Sequence, residues 1–173
     1  MQKIDEFSYN EPKLFACFIG GKIAGCSIEM HDTVFVVAKN TQELIENVKQ
    51  KVIAFESFHI DSWVVLQNVD GYEISLTDTK QTTENKLFFV NLGSYLAGKF
   101  GENHFMQFCV AKTRTHAIEI TKKNIAPNEE LVHGDNIYSL DDCIKLDKID
   151  HLFINLIVAE PQNLVINNGY FKI

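Results

Sequence analysis

The segment KLFACFIGGKIAGCSIEMHDTVFVVAK (13–39) reappears 73 positions later, without a gap, as KLFFVNLGSYLAGKFGENHFMQFCVAK (86–112). Lys13/Lys86, Phe15/Phe88, Gly20/Gly93, Gly25/Gly98, Glu29/Glu102, His31/His104 and Phe35/Phe108 are among 12 identities over 27 aligned residues. Unrelated segments of this length share about one or two, so an internal duplication is the expectation that organises the chain. One further residue of offset lays His59-Ile60-Asp61 on His133-Gly134-Asp135, and NVDGYEISL (68–76) then resembles SLDDCIKL (139–146) with its turn trimmed.

Each copy reads the same way from this segment outward. LFACFIGG (14–21) is an apolar run ending in glycines that permit a turn, and so a strand. DTVFVVAK (32–39) is apolar on both faces, which suits a strand inside a sheet. Asn40 and Glu43 have the spacing of a helix N-cap and its return partner, predicting a helix over 41–55. Leu44, Ile45, Val48 and Val52 fall on one stripe of it. IDSWVVLQ (60–67) and YEISL (72–76) are strands joined by the turn residues Asn68, Asp70 and Gly71. The second copy repeats the order with a helix over 115–125, stopped before Pro127.

The expected fold class is therefore α+β. Two pseudo-symmetric strand-strand-helix-strand-strand repeats would form largely antiparallel sheets with one helix each. Residues 1–78 are the first repeat and 84–148 the second, sharing a core, with a polar linker near 77–85 between them. HLFINLIVAEPQNLVINNGYFKI (151–173) reads as two strands about a Pro-Gln-Asn turn, so 149–173 is expected to be a C-terminal β-hairpin covering a sheet edge.

Composition excludes more than it assigns. Sixteen Lys+Arg against 23 Asp+Glu give a net charge of −7, and Arg114 is the only arginine. Nucleic acid is therefore not an expected partner. No apolar run is long enough to span a bilayer and the N-terminal residues lack the apolar core of a signal peptide, so no membrane partner is expected and the cytoplasm is the expected compartment. Cys17, Cys26, Cys109 and Cys143 are too scattered for a zinc knuckle or disulfide framework, which also suits a reducing compartment. The single arginine beside 15 Lys, 18 Ile and 14 Asn suggests an AT-biased bacterial genome.

GGKIAGCSIEMHDTVFVVA, HIDSW and VDGYEISL together resemble a bacterial domain-of-unknown-function family, number 1543, over roughly 13–76 and 86–147. The resemblance implies a short domain present in one or two copies; it implies no activity, substrate or cofactor. The second copy departs from the pattern where Gly21 becomes Ser94, Asp32 becomes Phe105 and Asp70-Gly71-Tyr72 becomes Asp141-Asp142-Cys143. An intact site is therefore expected in the first copy.

The candidate chemistry lies in Glu29, His31, His59 and Asp61, mirrored by Glu102, His104, His133 and Asp135. Residues i and i+2 of a strand share a face, so each Glu-x-His or His-x-Asp pair would present its side chains together. Such carboxylate–imidazole sets suit acid–base catalysis; His31, His59 and Asp61 are also candidate ligands of a divalent metal. The bland alternative is a hydrogen-bonded brace fixing a loop to its sheet. No cofactor-binding motif is present: Gly20–Ser27 follows the phosphate-cradling pattern except that Cys26 stands where lysine is required, and a strand follows instead of a helix. Cys26 near His31 is a weak nucleophile candidate, and Trp63 is expected to be packed. Two function classes remain: a ligand-binding or protein-interaction module, homodimeric or not, or a small metal-dependent or acid–base enzyme.

Overall fold

The computed structural model describes residues 2–95, 98–125 and 139–173. It is an α+β fold whose strands pair antiparallel in three sheets. The first sheet holds β1 (Ser8–Lys22), β2 (Met30–Asn40), β3 (Ser57–Val65) and β11 (Ile166–Lys172) in the order β11-β3-β1-β2. A second has β6 (Lys86–Ser94) between β7 (Asn103–Ala111) and β8 (Ser139–Leu146). The third joins β4 (Asn68–Val69), β5 (Tyr72–Thr77), β10 (Leu152–Val158) and β9 (Lys148–Ile149), with β5 paired to β10. The helices are α1 (Thr41–Lys51) and α2 (Arg114–Ile125).

Strand alternation sorts the core into layers. Phe15, Cys17 and Ile19 of β1 and Val36 of β2 face α1, where Leu44 and Val48 meet them. The opposite faces of those strands send Leu14, Ala16 and Phe35 into a cluster with Leu87, Phe89, Val110, Ile154 and Leu156, so one apolar core draws on all three sheets. Phe35 meets Phe89 edge-on at 5.5 Å between centroids. A third cluster lies between β6, β7 and α2 around Phe88, Val90, Ala117 and Ile125.

The cap of α1 forms as its sequence predicts: Asn40 Oδ1 accepts from Glu43 N at 2.9 Å, while Glu43 Oε2 accepts from Lys39 N at 2.8 Å. The helix ends at Lys51, with Val52 as its C-cap, four residues short of the expected end. Phe55 instead packs near Gly21, off the helix axis.

The C-terminal hairpin is a correction. β10 pairs with β5 and β11 with β3, in different sheets, so the two strands about Pro161 do not pair with each other. Buried Asn68 is the physical reason: its Nδ2 donates to Glu160 O at 3.0 Å and its Oδ1 accepts from Gln162 N at 3.2 Å, steering the chain from one sheet to another. β11 does cover a sheet edge, that of β3.

Gly20 and Gly93 each stand in a central strand with a histidine beside them on one neighbour. Gly20 pairs with His31 on β2 and with His59 on β3; Gly93 pairs with His104 on β7 and with Ser139 on β8. The residue standing where His59 stands is thus Ser139. His133 and Asp135 lie outside the described residues.

Candidate functional site

β2 and β3, on either side of β1, bring His31, His59 and Asp61 together at one end of the first sheet, with Glu29 just before β2. His31 and His59 flank Gly20 on its two neighbouring strands. Asp61 enters through a bulge: Ile19 pairs with Ile60 and Phe18 with Ser62, leaving Asp61 without a ladder partner. Gly20 makes the convergence sterically feasible, because a Cβ there would stand 2.7 Å from Asp61 Oδ2 and 3.0 Å from His31 Nε2. The same i and i+2 spacing expected on a flat strand therefore reaches its geometry through a bulge and a missing side chain.

The four side chains form an alternating row. Glu29 Oε1 lies 3.5 Å from His59 Nδ1, His59 Nε2 lies 2.9 Å from Asp61 Oδ1, and Asp61 Oδ2 lies 3.3 Å from His31 Nε2. Glu29 thus reaches across to His59 and is not paired with His31 as its sequence spacing suggested. His59 is 4% exposed, with Tyr170 of β11 stacked on its ring at 3.9 Å between centroids. Its two nitrogens face two carboxylates, which fixes its ring and, through it, Asp61. His31 sits at the open end with a side chain 42% exposed, its ring nearly parallel to Phe18 at 5.3 Å. Asp61 holds one imidazole nitrogen of His31, an arrangement that orients the ring and can support proton transfer at the other.

Glu29 and His31 line a cleft of about 680 Å³ with Glu102 and His104. Asn91 Nδ2 lies 3.4 Å from His104 Nδ1, in the register position that Phe18 occupies next to His31. Asp142 and Thr33 also line the cleft, and Thr33 touches Met106 across it at 3.9 Å. Sequence reasoning missed Phe18, Asn91 and Tyr170, and quoted Asp142 only as a departure from the family pattern. The register could have suggested the first two, since they lie one strand over from the histidines; nothing local announces Tyr170, which arrives from the far end of the chain.

The remaining candidates behave as structural parts. Trp63 packs on Phe7 at 5.7 Å and Phe15 at 6.2 Å, as expected. All four cysteines are free, and Cys17, Cys109 and Cys143 are buried. Burial pushes the Cys17 thiol up to about 12. Burial, then the Asp70 carboxylate, does the same to Cys109. Burial also raises Cys143, against the opposing pull of Arg114. Such thiols are poor nucleophiles. Cys26 is exposed and, among the described residues, has neither hydrogen bond nor ion pair with His31. Among the described residues no group of three or more His, Cys, Asp or Glu side chains is arranged to hold a metal ion, and no helix is long and apolar enough to cross a membrane.

Comparison with known proteins finds a match over the segment that carries the row of side chains. Residues 26–76 match the model of the family described as Domain of Unknown Function (DUF1543), a span that contains Glu29, His31, His59 and Asp61. The fold is similar to the crystal structure of protein Il1583 from Idiomarina loihiensis, with a TM-score of 0.72 and 27% identity over 94% of this chain and 98% of that one. No match is found among curated proteins.

Proposed function

We propose that the chain is a duplicated small-molecule-binding module whose binding place is the cleft between its halves. The observation that carries the reading is the lining of that cleft: Glu29 and His31 from one half, with Glu102 and His104 from the other, around about 680 Å³. That volume lies in the range of ligand pockets, about 300–1,000 Å³.

Strand register supports the duplication. Gly20 faces His31 as Gly93 faces His104, and a bulge skips Asp61 on β3 as another skips Asp141 on β8. Asp70 and Asp150, 80 residues apart like His59 and Ser139, both take positive φ, 51° and 55°. Ser75 and Asn155, separated by the same 80 residues, pair directly in the middle of β5 and β10. Self-pairing of counterparts is what an approximate twofold axis through that point produces. On this reading the second repeat runs on to the end of β10, and β11 alone is the addition.

A mixed panel of neutral and charged small molecules, screened by amide chemical-shift mapping, tests the cleft. Compounds that shift Thr33, Phe89, Asn91 and Met106 together support it. A panel whose binders all map to other surfaces removes it.

One observation favours a second reading, an acid–base enzyme. The Asp61–His31 pair stands at the cleft with buried His59 fixing the carboxylate from behind. Under this reading Asp61→Asn abolishes turnover of any substrate found while leaving ligand binding nearly intact; equal loss of both would reduce the pair to a binding element.

A further inference from the structure

The lining of the cleft has a pronounced chemical bias. Glu29, Asp32, Glu102 and Asp142 contribute four carboxylates, and no lysine or arginine is among the described residues that line it. Its basic groups are two histidines, of which His31 is already held by Asp61. Half-buried Asn91 stands in the wall beside them with its Nδ2 3.4 Å from His104 Nδ1, and its inaccessible Oδ1 has no donor among the described residues. Two of the carboxylates are engaged on one oxygen only by a neighbouring backbone amide: Asp32 Oδ1 accepts from Thr33 N and Asp142 Oδ1 from Cys143 N, both at 2.7 Å. The cleft is therefore supplied with acceptors and short of donors.

The walls are apolar. Phe18 and Phe89 line the cleft, and so do Met30, Met106 and Ile144. A second, smaller pocket of about 200 Å³ shares Phe18, Thr33, Phe89 and Met106 with it and continues between Ala16, Val64 and Phe108. A ligand that satisfies both regions needs a group with several donors and no acceptor at one end and an apolar body at the other. An ammonium on an aromatic or aliphatic stem has that form: three N–H donors, a positive charge matched to carboxylates, and the ability to lie against aromatic faces.

We infer that the cleft binds a small organic primary amine, with its ammonium near Glu102 and Asp142 and its apolar stem directed to the pocket between Phe89 and Phe108. The inference rests on the cleft being a ligand site and specifies the class of ligand. A carboxylate or phosphate ligand would meet four like charges; a neutral alcohol would fill the apolar pocket yet leave most of the carboxylate acceptors unmet.

Three probes of matched shape test it on the full chain near neutral pH: 3-phenylpropylamine, 3-phenylpropan-1-ol and 3-phenylpropionate, each titrated by calorimetry with amide shifts followed in parallel. The amine should bind in the cleft about tenfold or more tightly than the alcohol, the size of one charge-assisted contact, and the propionate should not bind there. Amine affinity should fall as salt rises. The double variant Glu102→Gln, Asp142→Asn, which leaves Glu29, His59, Asp61 and His31 untouched, should weaken the amine about tenfold while leaving the alcohol and the melting temperature unchanged. Alcohol or propionate binding in the cleft as tightly as the amine overturns the ligand class and preserves the cleft. An amine that shifts no cleft residue, when the alcohol and propionate shift none either, overturns both.

Discussion

Two regions of the molecule, β1–β3 with α1 and β6–β8 with α2, each place a central strand between two antiparallel neighbours, and they carry different side chains on it. In the first, Gly20 lies between His31 and His59, and the four polar side chains lock into a row closed by Tyr170. In the second, Gly93 is likewise flanked by two strands, β7 and β8, but Ser139 stands on β8 and Asn91 is the neighbour of His104. The helices diverge in parallel. Leu44, Val48 and Val52 anchor α1, while the residues 73 positions on, Ala117, Thr121 and Ile125, anchor α2 with less apolar bulk. Strand pairing follows from backbone hydrogen bonds and alternation, so it tolerates such exchange; a polar site needs particular atoms at particular distances and does not.

The helix anchors give the largest way to break the comparison. Leu44 is fully buried against β1 and β2, so Leu44→Ala should destabilise by about 3 kcal/mol, lost burial plus the cavity left behind. Ala117 is equally buried, and Ala117→Leu should also destabilise, by about 1–3 kcal/mol, because the second half is packed around the smaller residue. Urea unfolding of both variants decides it. A stabilising Ala117→Leu would mean that α2 sits over unfilled space and that the halves differ by a defect; mutual destabilisation means each is packed for its own side chain.

How much of this the sequence carried depends on range. The order of elements, the Asn40 cap and the apolar stripes were legible because they follow from local periodicity and neighbouring hydrogen bonds. The convergence of Glu29, His31, His59 and Asp61 was legible only as residue types. That Glu29 serves His59, and that Asp61 enters at a bulge, depend on strand register set by residues far away in the chain. His133 and Asp135 lie outside the described residues; that Ser139 is the residue beside Gly93 on β8, as His59 is beside Gly20 on β3, is a matter of register that no short run of sequence announces. The hairpin misled because its course is set at long range: Pro161 marks a turn locally, but Asn68, 92 residues before the Glu160 carbonyl it holds, decides where it leads.

Gly21 and Ser94 sharpen the comparison at intermediate size. A Cβ on Gly21 would lie 2.3 Å from the carbonyl oxygen of Ser57 and 2.7 Å from Phe58 Cβ, both on the adjoining strand, so there is no flexible end to move aside. Gly21→Ala should cost about 1–3 kcal/mol. Ser94 already carries a Cβ in a buried position of β6, and Ser94→Gly should cost less, about 0.5–1 kcal/mol, through added freedom of the unfolded chain. Chemical denaturation measures both. Equal costs would mean that the crowding at Gly21 relaxes without loss, and the asymmetry between the halves at this strand end would disappear.

The smallest effect belongs to a charge cluster found in one half only. Asp147 Oδ2 lies 2.7 Å from Lys145 Nζ and 3.2 Å from Lys80 Nζ, whereas the corresponding position before β4 holds Gln67. Partial burial of Asp147 favours its neutral form, but the hydrogen bonds from Lys145 and Lys80 outweigh burial and hold the carboxyl below its ordinary value of 3.8. A carboxyl lowered on folding contributes stability that is present above the unfolded value and lost as pH falls through the folded one. Asp147→Asn should therefore cost under about 1 kcal/mol at neutral pH, as expected for lysines that are half exposed, and progressively less as pH falls below the ordinary carboxyl value of 3.8. At about 1 M salt, where the screening length is near 3 Å, the neutral-pH difference should shrink. A cost that persists unchanged at low pH would assign Asp147 a role through its backbone turn, where its carbonyl accepts from Ile154 N at 3.0 Å just as that of Gln67 accepts from Ile74 N at 2.9 Å. The two halves would then be alike at this point too, with the charges incidental.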